Sequence, residues 1–204
     1  MKYTLVSVAL VGASFFASAQ EAVSEDTYFS KKMSVGIELF SASNEFTGTL
    51  AGYSEDIDID SKGFALQFGF KTGSSKTLTT YFEYRNENFD EGIYDYENNA
   101  LHYFSIGLFK EFPQENNISP YIRGSLGLGF MEIDETAYTD DTANAFGGKI
   151  GAGLAFYPAS SIKIYGGVDL QYRIWSPIDT GTYYGDLDID ETSLMFGAGV
   201  SYLF

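Results

Sequence analysis

The sequence predicts an all-β chain, an eight-stranded antiparallel up-and-down transmembrane β-barrel. Three observations predict it. From Met33 to Phe204 the chain falls into eight segments of about ten residues with apolar side chains at alternate positions, the period of a strand with one apolar face. The connections between them alternate between long and short. The apolar face is nearly free of charge in all eight segments, while the other face carries charge and glycine, which suits lipid outside and a polar interior. Closure into a barrel removes the unpaired edges that lipid would not tolerate.

Composition agrees. The 204 residues include 22 Gly, 18 Phe and 16 Tyr against one Trp, a β-leaning set. The net charge of -16 has the wrong sign for neutralising phosphates, so nucleic acid is excluded as a partner. There is no Cys, which removes disulfides, thiolate metal sites and a cysteine nucleophile together.

Lys2, the apolar run 5–16 and Ala17-Ser18-Ala19 have the form of a secretory signal peptide, with cleavage expected after Ala19. The run is shorter than the roughly 20 apolar residues of a spanning helix. Residues 1–19 are thus read as the signal peptide, 20–32 as a short periplasmic segment and 33–204 as the barrel.

In chain order, the first strand sets Met33, Val35, Ile37 and Leu39 against Ser34, Gly36 and Glu38. The second sets Phe64, Leu66, Phe68 and Phe70 against Ala65, Gln67, Gly69 and Lys71. Leu78, Thr80, Phe82 and Tyr84 oppose Thr79, Tyr81, Glu83 and Arg85 in the third. In the fourth, Phe104, Ile106 and Leu108 oppose Tyr103, Ser105 and Gly107, with Lys110 the one charge on the apolar face, near enough to a strand end to snorkel. The fifth places Ile122, Leu126, Leu128 and Phe130 opposite Arg123, Ser125, Gly127 and Gly129, and the sixth places Ile150, Ala152, Leu154 and Phe156 opposite Lys149, Gly151 and Gly153. Ile164, Val168, Leu170 and Tyr172 oppose Lys163, Asp169, Gln171 and Arg173 in the seventh. The last sets Leu194, Phe196, Ala198, Val200, Tyr202 and Phe204 against Ser193, Gly197, Gly199 and Ser201.

Residues 44–61, 86–99, 132–145 and 176–191 read as long loops and 72–76, 113–117 and 158–161 as tight turns. This order puts both termini on the short-turn side, the periplasm in such barrels. The four long segments hold 20 of the 28 acidic residues and none of the 12 basic ones. They also carry Tyr53, Tyr94, Tyr96, Tyr138, Tyr183 and Tyr184, a residue type favoured at recognition surfaces. Tyr84, Phe112, Phe130, Phe156, Tyr172 and Tyr202 fall where interfacial girdles form, and Trp175 at the end of the seventh strand suits the same position.

With these strands in hand, the sequence resembles the small eight-stranded outer-membrane barrels of the OmpA and OmpX type of Gram-negative bacteria. The residues that carry the resemblance are Tyr121-Ile-Arg-Gly-Ser-Leu-Gly-Leu-Gly-Phe130, Gly151-Ala-Gly-Leu-Ala-Phe-Tyr-Pro158, Phe196-Gly-Ala-Gly-Val-Ser-Tyr202 and the end Val200-Ser-Tyr202-Leu-Phe204. It implies that Tyr202 and Phe204 belong to the signal read by the barrel-assembly machinery. It further implies that outer-membrane lipids and lipopolysaccharide are the chain's surroundings, and that it lies in the bacterial outer membrane. Relatives of this kind include adhesins, membrane-integrity proteins, narrow channels and a few lipid enzymes.

Three groups of residues are candidates for chemistry. The polar face points Glu38, Glu83, Glu111 and Asp169 inward with Lys71, Arg85, Arg123, Lys149, Lys163 and Arg173. In a barrel just wide enough for side chains to fill, that makes either a salt-bridged plug, which the width favours, or a gated ion path. Asp56, Asp58 and Asp60 recur as Asp186, Asp188 and Asp190 in YSEDIDID and YGDLDID. Strand parity places all six outward on extensions above the membrane, with Ile57, Ile59, Leu187 and Ile189 inward. Alternate strand residues lie nearly 7 Å apart, so one ion cannot take three in a row; these Asp are weak metal candidates and more simply solvating charge. His102 is the single histidine, and Ser105, three residues on, faces the opposite way, which leaves no nucleophile beside it. Gly148-Lys149-Ile150 lacks the Ser or Thr of a phosphate-binding loop. The expected function is non-enzymatic: a monomer without cofactor, whose acidic, Tyr-rich loops serve envelope integrity or bind an extracellular ligand or surface. The alternative is a narrow porin-like channel.

Overall fold

A computed structural model describes residues 30–72, 77–90, 100–114, 117–132, 142–179 and 185–204. The expected signal peptide, together with Tyr94, Tyr96, Tyr138, Tyr183 and Tyr184, lies outside them. The strands are β1 (Met33–Leu50), β2 (Tyr53–Lys71), β3 (Leu78–Phe89), β4 (Ala100–Glu111), β5 (Ile118–Glu132), β6 (Thr142–Ala159), β7 (Ile162–Trp175), the two-residue β8 (Ile178–Asp179) and β9 (Asp186–Leu203). Each neighbour in the order β1-β2-β3-β4-β5-β6-β7-β9 pairs antiparallel, and β9 returns to pair with β1 from Ser34↔Leu203 to Thr49↔Asp188. Eight strands therefore close on themselves, and β8 is an outer addition to the upper part of β9.

The pleat sends successive side chains to opposite sides. Leu39, Leu126, Leu128 and Ile150 are among the most exposed apolar residues, all on the outward face, while the inward face of the same strands is buried. The outside is the apolar side of this molecule, the inverse of a water-soluble β protein.

The stretch 44–61 is not a loop. β1 and β2 stay paired through Leu50↔Tyr53, and only Ala51 and Gly52 turn the chain. Both have positive φ, 52° and 84°, as a two-residue hairpin needs to match the strand twist. The extension read at Asp56–Asp60 is a strand, and it continues through the whole of 44–61 apart from that turn; the remainder is polar because it stands beyond the apolar belt, where hydrophobic alternation fades. The same cause shortens the other expected loops: β3 runs to Phe89, β6 starts at Thr142 and β9 at Asp186.

Trp175 is a second correction. It is buried in the interior at 3% exposure rather than set in an outward girdle, since it continues the inward parity of Asp169, Gln171 and Arg173. Because it is the chain's single tryptophan, its fluorescence reports this directly. We expect blue-shifted emission that bromine-labelled lipids do not quench; strong quenching would return it to the girdle.

Candidate functional site

The barrel interior is the largest assembly of charge in the structure. At its centre Arg123 of β5 is clamped by two carboxylates. Its Nη1 and Nη2 donate to Glu38 Oε2 and Oε1 at 2.6 and 2.8 Å, its Nε donates to Asp169 Oδ1 at 2.7 Å, and Nη2 also donates to Asp169 Oδ2. Space for both carboxylates comes from glycine. A Cβ on Gly151 would run into the Asp169 carboxylate, and one on Gly197 would run into that of Glu38.

From Glu38 the network climbs. Gln67 Nε2 bridges Glu38 and Glu83 at 3.3 and 2.8 Å, and its Oε1 accepts from the Tyr165 hydroxyl. Glu83 accepts from Lys149 at 2.8 and 3.0 Å and from Arg85 at 3.1 Å. Arg85 in turn donates to Gln171 and lies over the Phe40 and Tyr103 rings. Above it Arg173 bridges Glu87, at 2.8 Å, and Glu191, while Trp175 Nε1 and Ser193 Oγ donate to Glu191 at 3.0 and 2.8 Å. Ser61 donates to Glu87, and Asn44 to Ser61, which carries the network back to the β1/β2 wall.

Sequence reasoning places Glu38, Glu83, Arg85, Arg123, Lys149, Asp169 and Arg173 inside, and all seven are buried there. It misses Glu87 and Glu191, which lie in stretches taken for loops; strand parity alone would have found them, since Glu87 continues Glu83 and Arg85. With these two, the described inward charges are Glu38, Glu83, Glu87, Glu111, Asp169 and Glu191 against Lys71, Arg85, Arg123, Lys149, Lys163 and Arg173, six of each sign. The balance favours mutual pairing, because an uncompensated charge in a low-dielectric interior is costly.

Apolar layers close the network at both ends. Toward the long connections Phe46, Ile59, Leu101, Met131, Trp175 and Ile189 form one buried cluster. Toward the termini Tyr81, Phe109, Tyr121, Tyr157, Tyr165 and Leu203 form another. Here Lys163 Nζ sits 4.1 Å from the Phe109 ring centroid and the Tyr157 hydroxyl donates to Glu111.

Outside, the two Asp triplets come together. β2 and β9 flank β1, so Thr47 stands opposite Asp56 on one side and Asp190 on the other, and Glu45 opposite Asp58. Thr47 donates to Asp56 at 2.8 Å and Tyr172 to Asp190 at 3.0 Å. Asp56, Asp58, Asp60, Asp186, Asp188 and Asp190 are all exposed, and among the described residues no three acidic or histidine side chains converge as metal ligands would. Ile59 and Ile189 are buried as their parity requires, whereas Ile57, further up the hairpin, is exposed. His102 faces outward with its Nδ1 2.9 Å from the Tyr84 hydroxyl, stacked between Tyr84 and Phe130, while Ser105 is buried on the other face of β4. At the C-terminal end of β9 the outward-facing Tyr202 stacks on Phe204, the residue after the strand.

No family model and no curated protein matches the sequence. Solved structures do. Neisserial surface protein A aligns over 83% of this chain and 97% of its own, at 14% identity and a TM-score of 0.52. The fold is that of the small outer-membrane β-barrels. Two more structures of that fold are similar: outer membrane protein OprG from Pseudomonas aeruginosa, with 12% identity, TM-score 0.50 and coverage of 85% of this chain and 96% of that one, and outer membrane protein AlkL, with 13%, 0.53, 85% and 90%. At these identities the likeness is one of outer-membrane barrel architecture, and activity has to be argued from this chain's own residues.

Proposed function

We propose that the chain is a non-enzymatic barrel of the bacterial outer membrane with a closed lumen, whose acidic, tyrosine-bearing outer segments serve envelope integrity or bind a ligand at the cell surface. The observation that carries the reading is the interior: a connected, charge-balanced network held between two apolar layers. Ions crossing it would have to displace paired side chains and pass the Phe46–Trp175 cluster, whose indole N–H is already bonded to Glu191. Function then falls to what projects beyond the bilayer, the Asp-rich β1/β2/β9 patch and the exposed Tyr53 at its tip.

Export would follow removal of residues 1–19, and Tyr202 and Phe204 would be read by the assembly machinery before β9 pairs with β1. Lipopolysaccharide would surround the acidic patch. Against catalysis, the single histidine is engaged by Tyr84 and, among the described residues, no Ser or Thr shares its face of β4.

The test is conductance of residues 20–204 refolded into planar bilayers. A folded, silent barrel is expected. Steady ohmic steps would overturn the closed lumen and make the narrow channel the leading reading.

A further inference from the structure

The outward wall is not uniform. Over β3 to β9 it is indented by a groove of about 890 Å³, against about 460 and 340 Å³ for two other recesses of the same wall. The indentation exists because Gly124 and Ala152 stand where their neighbours carry Leu and Ile, so the row Leu108, Gly124, Ile150, Leu170, Leu194 has a gap in its side-chain layer. The row crosses four strand spacings, about 19 Å at about 4.8 Å each. It also climbs: Leu108 is near the turn-side end of β4, whereas Leu194 is half a strand above the end of β9.

At the low end of the groove stands Lys110. It is the charge that the apolar face should not carry; its ammonium has three donors and, among the described residues, gives one to Thr77 Oγ1 at 2.6 Å. With the apolar belt in the bilayer, the turn-side end of β4 lies toward the lipid phosphates on the periplasmic side. We propose that this groove holds one phospholipid of the periplasmic leaflet, with an acyl chain along Gly124 and Ala152 and the phosphate on Lys110. The argument is one of charge and length. A phosphate oxygen is the natural acceptor for an ammonium at the membrane interface, and a groove of about 19 Å accommodates the roughly 15 Å that one leaflet's hydrocarbon occupies. A second copy of the chain fits less well: the same face would meet itself, and the groove lining holds no carboxylate to pair with Lys110.

The proposal rests on the membrane reading, and its test separates the two. The refolded chain is inserted into phosphatidylglycerol bilayers, its strand content read by circular dichroism, and the lipid retained on release counted by native mass spectrometry. One phospholipid per barrel is expected. Gly124→Leu with Ala152→Leu fills the groove, and Lys110→Gln removes the phosphate partner. Each should lower retention about tenfold, the second by losing a charge-assisted contact and the first by removing the recess in which the acyl chain lies. Gly124 can take a side chain, since a Cβ there meets its nearest neighbour only at 3.5 Å. A chain that gains no strand structure in bilayers counts against the membrane reading. Insertion with unchanged retention in both variants overturns the groove site alone. Loss on filling but not on Lys110→Gln overturns the phosphate assignment, displacement by added lipopolysaccharide overturns the choice of leaflet, and lipid-free dimers overturn the lipid in favour of a second copy.

Discussion

Replacing Arg123 with leucine is expected to lower the barrel's unfolding free energy by about 3–5 kcal/mol, the cost of leaving buried charges without their partner. Two carboxylates close on this one guanidinium, and both are almost fully buried. Neither Glu38 nor Asp169 has a second cation within ion-pair distance among the described residues, so neither can be rescued by a small shift. Denaturant titration of the folded barrel in lipid vesicles measures the loss. The companion triple variant Arg123→Leu, Glu38→Gln, Asp169→Asn should recover much of it, since removing all the charges together avoids the desolvation penalty that one survivor carries. A single variant within about 1 kcal/mol of the parent would show that water reaches the clamp.

Ile106→Arg is the second large effect. Ile106 lies midway along β4 between His102 and Lys110, outward and 51% exposed. Tyr53 at the hairpin tip is exposed at 84%. In water the two sites would tolerate arginine about equally, within roughly 0.5 kcal/mol. In a bilayer the first should cost about 2–4 kcal/mol and the second almost nothing, because only Ile106 faces hydrocarbon at mid-depth. Equal stability of Ile106→Arg and Tyr53→Arg in vesicles would contradict the membrane placement of the belt.

The eight strands were legible because the pleat has a period of two and lipid demands an unbroken apolar face, so Leu126 and Leu128 announce their own side. Strand ends were not legible where that demand stops. Asp56, Asp58 and Asp60 alternate with Ile57 and Ile59, which made that extension readable, but 86–89 and the end of 176–191 have loop composition, and Glu87 and Glu191 were lost from the interior for that reason. Trp175 was misplaced because residue preference for girdles was allowed to outweigh parity, which put it beside Arg173. The Arg123 clamp was legible as inward charge but not as a triad. The room that Gly151 and Gly197 leave for its carboxylates depends on the β6–β7 and β1–β9 registers, which no single strand encodes. The same holds for the groove.

The tall β1/β2 hairpin has one further consequence. β3 begins to pair with β2 only at Ser61, so among the described residues Tyr53–Ile59 is hydrogen-bonded on the β1 side alone. Along most of the barrel wall closure gives each strand a partner on both sides, whereas on this stretch the described residues supply a ladder on one side only, the arrangement on which a further strand can add. Carboxylates at Glu55, Asp56, Asp58 and Asp60 line it. Charge of one sign along such a stretch disfavours addition of a strand that is itself acidic, the same hairpin of a second copy included.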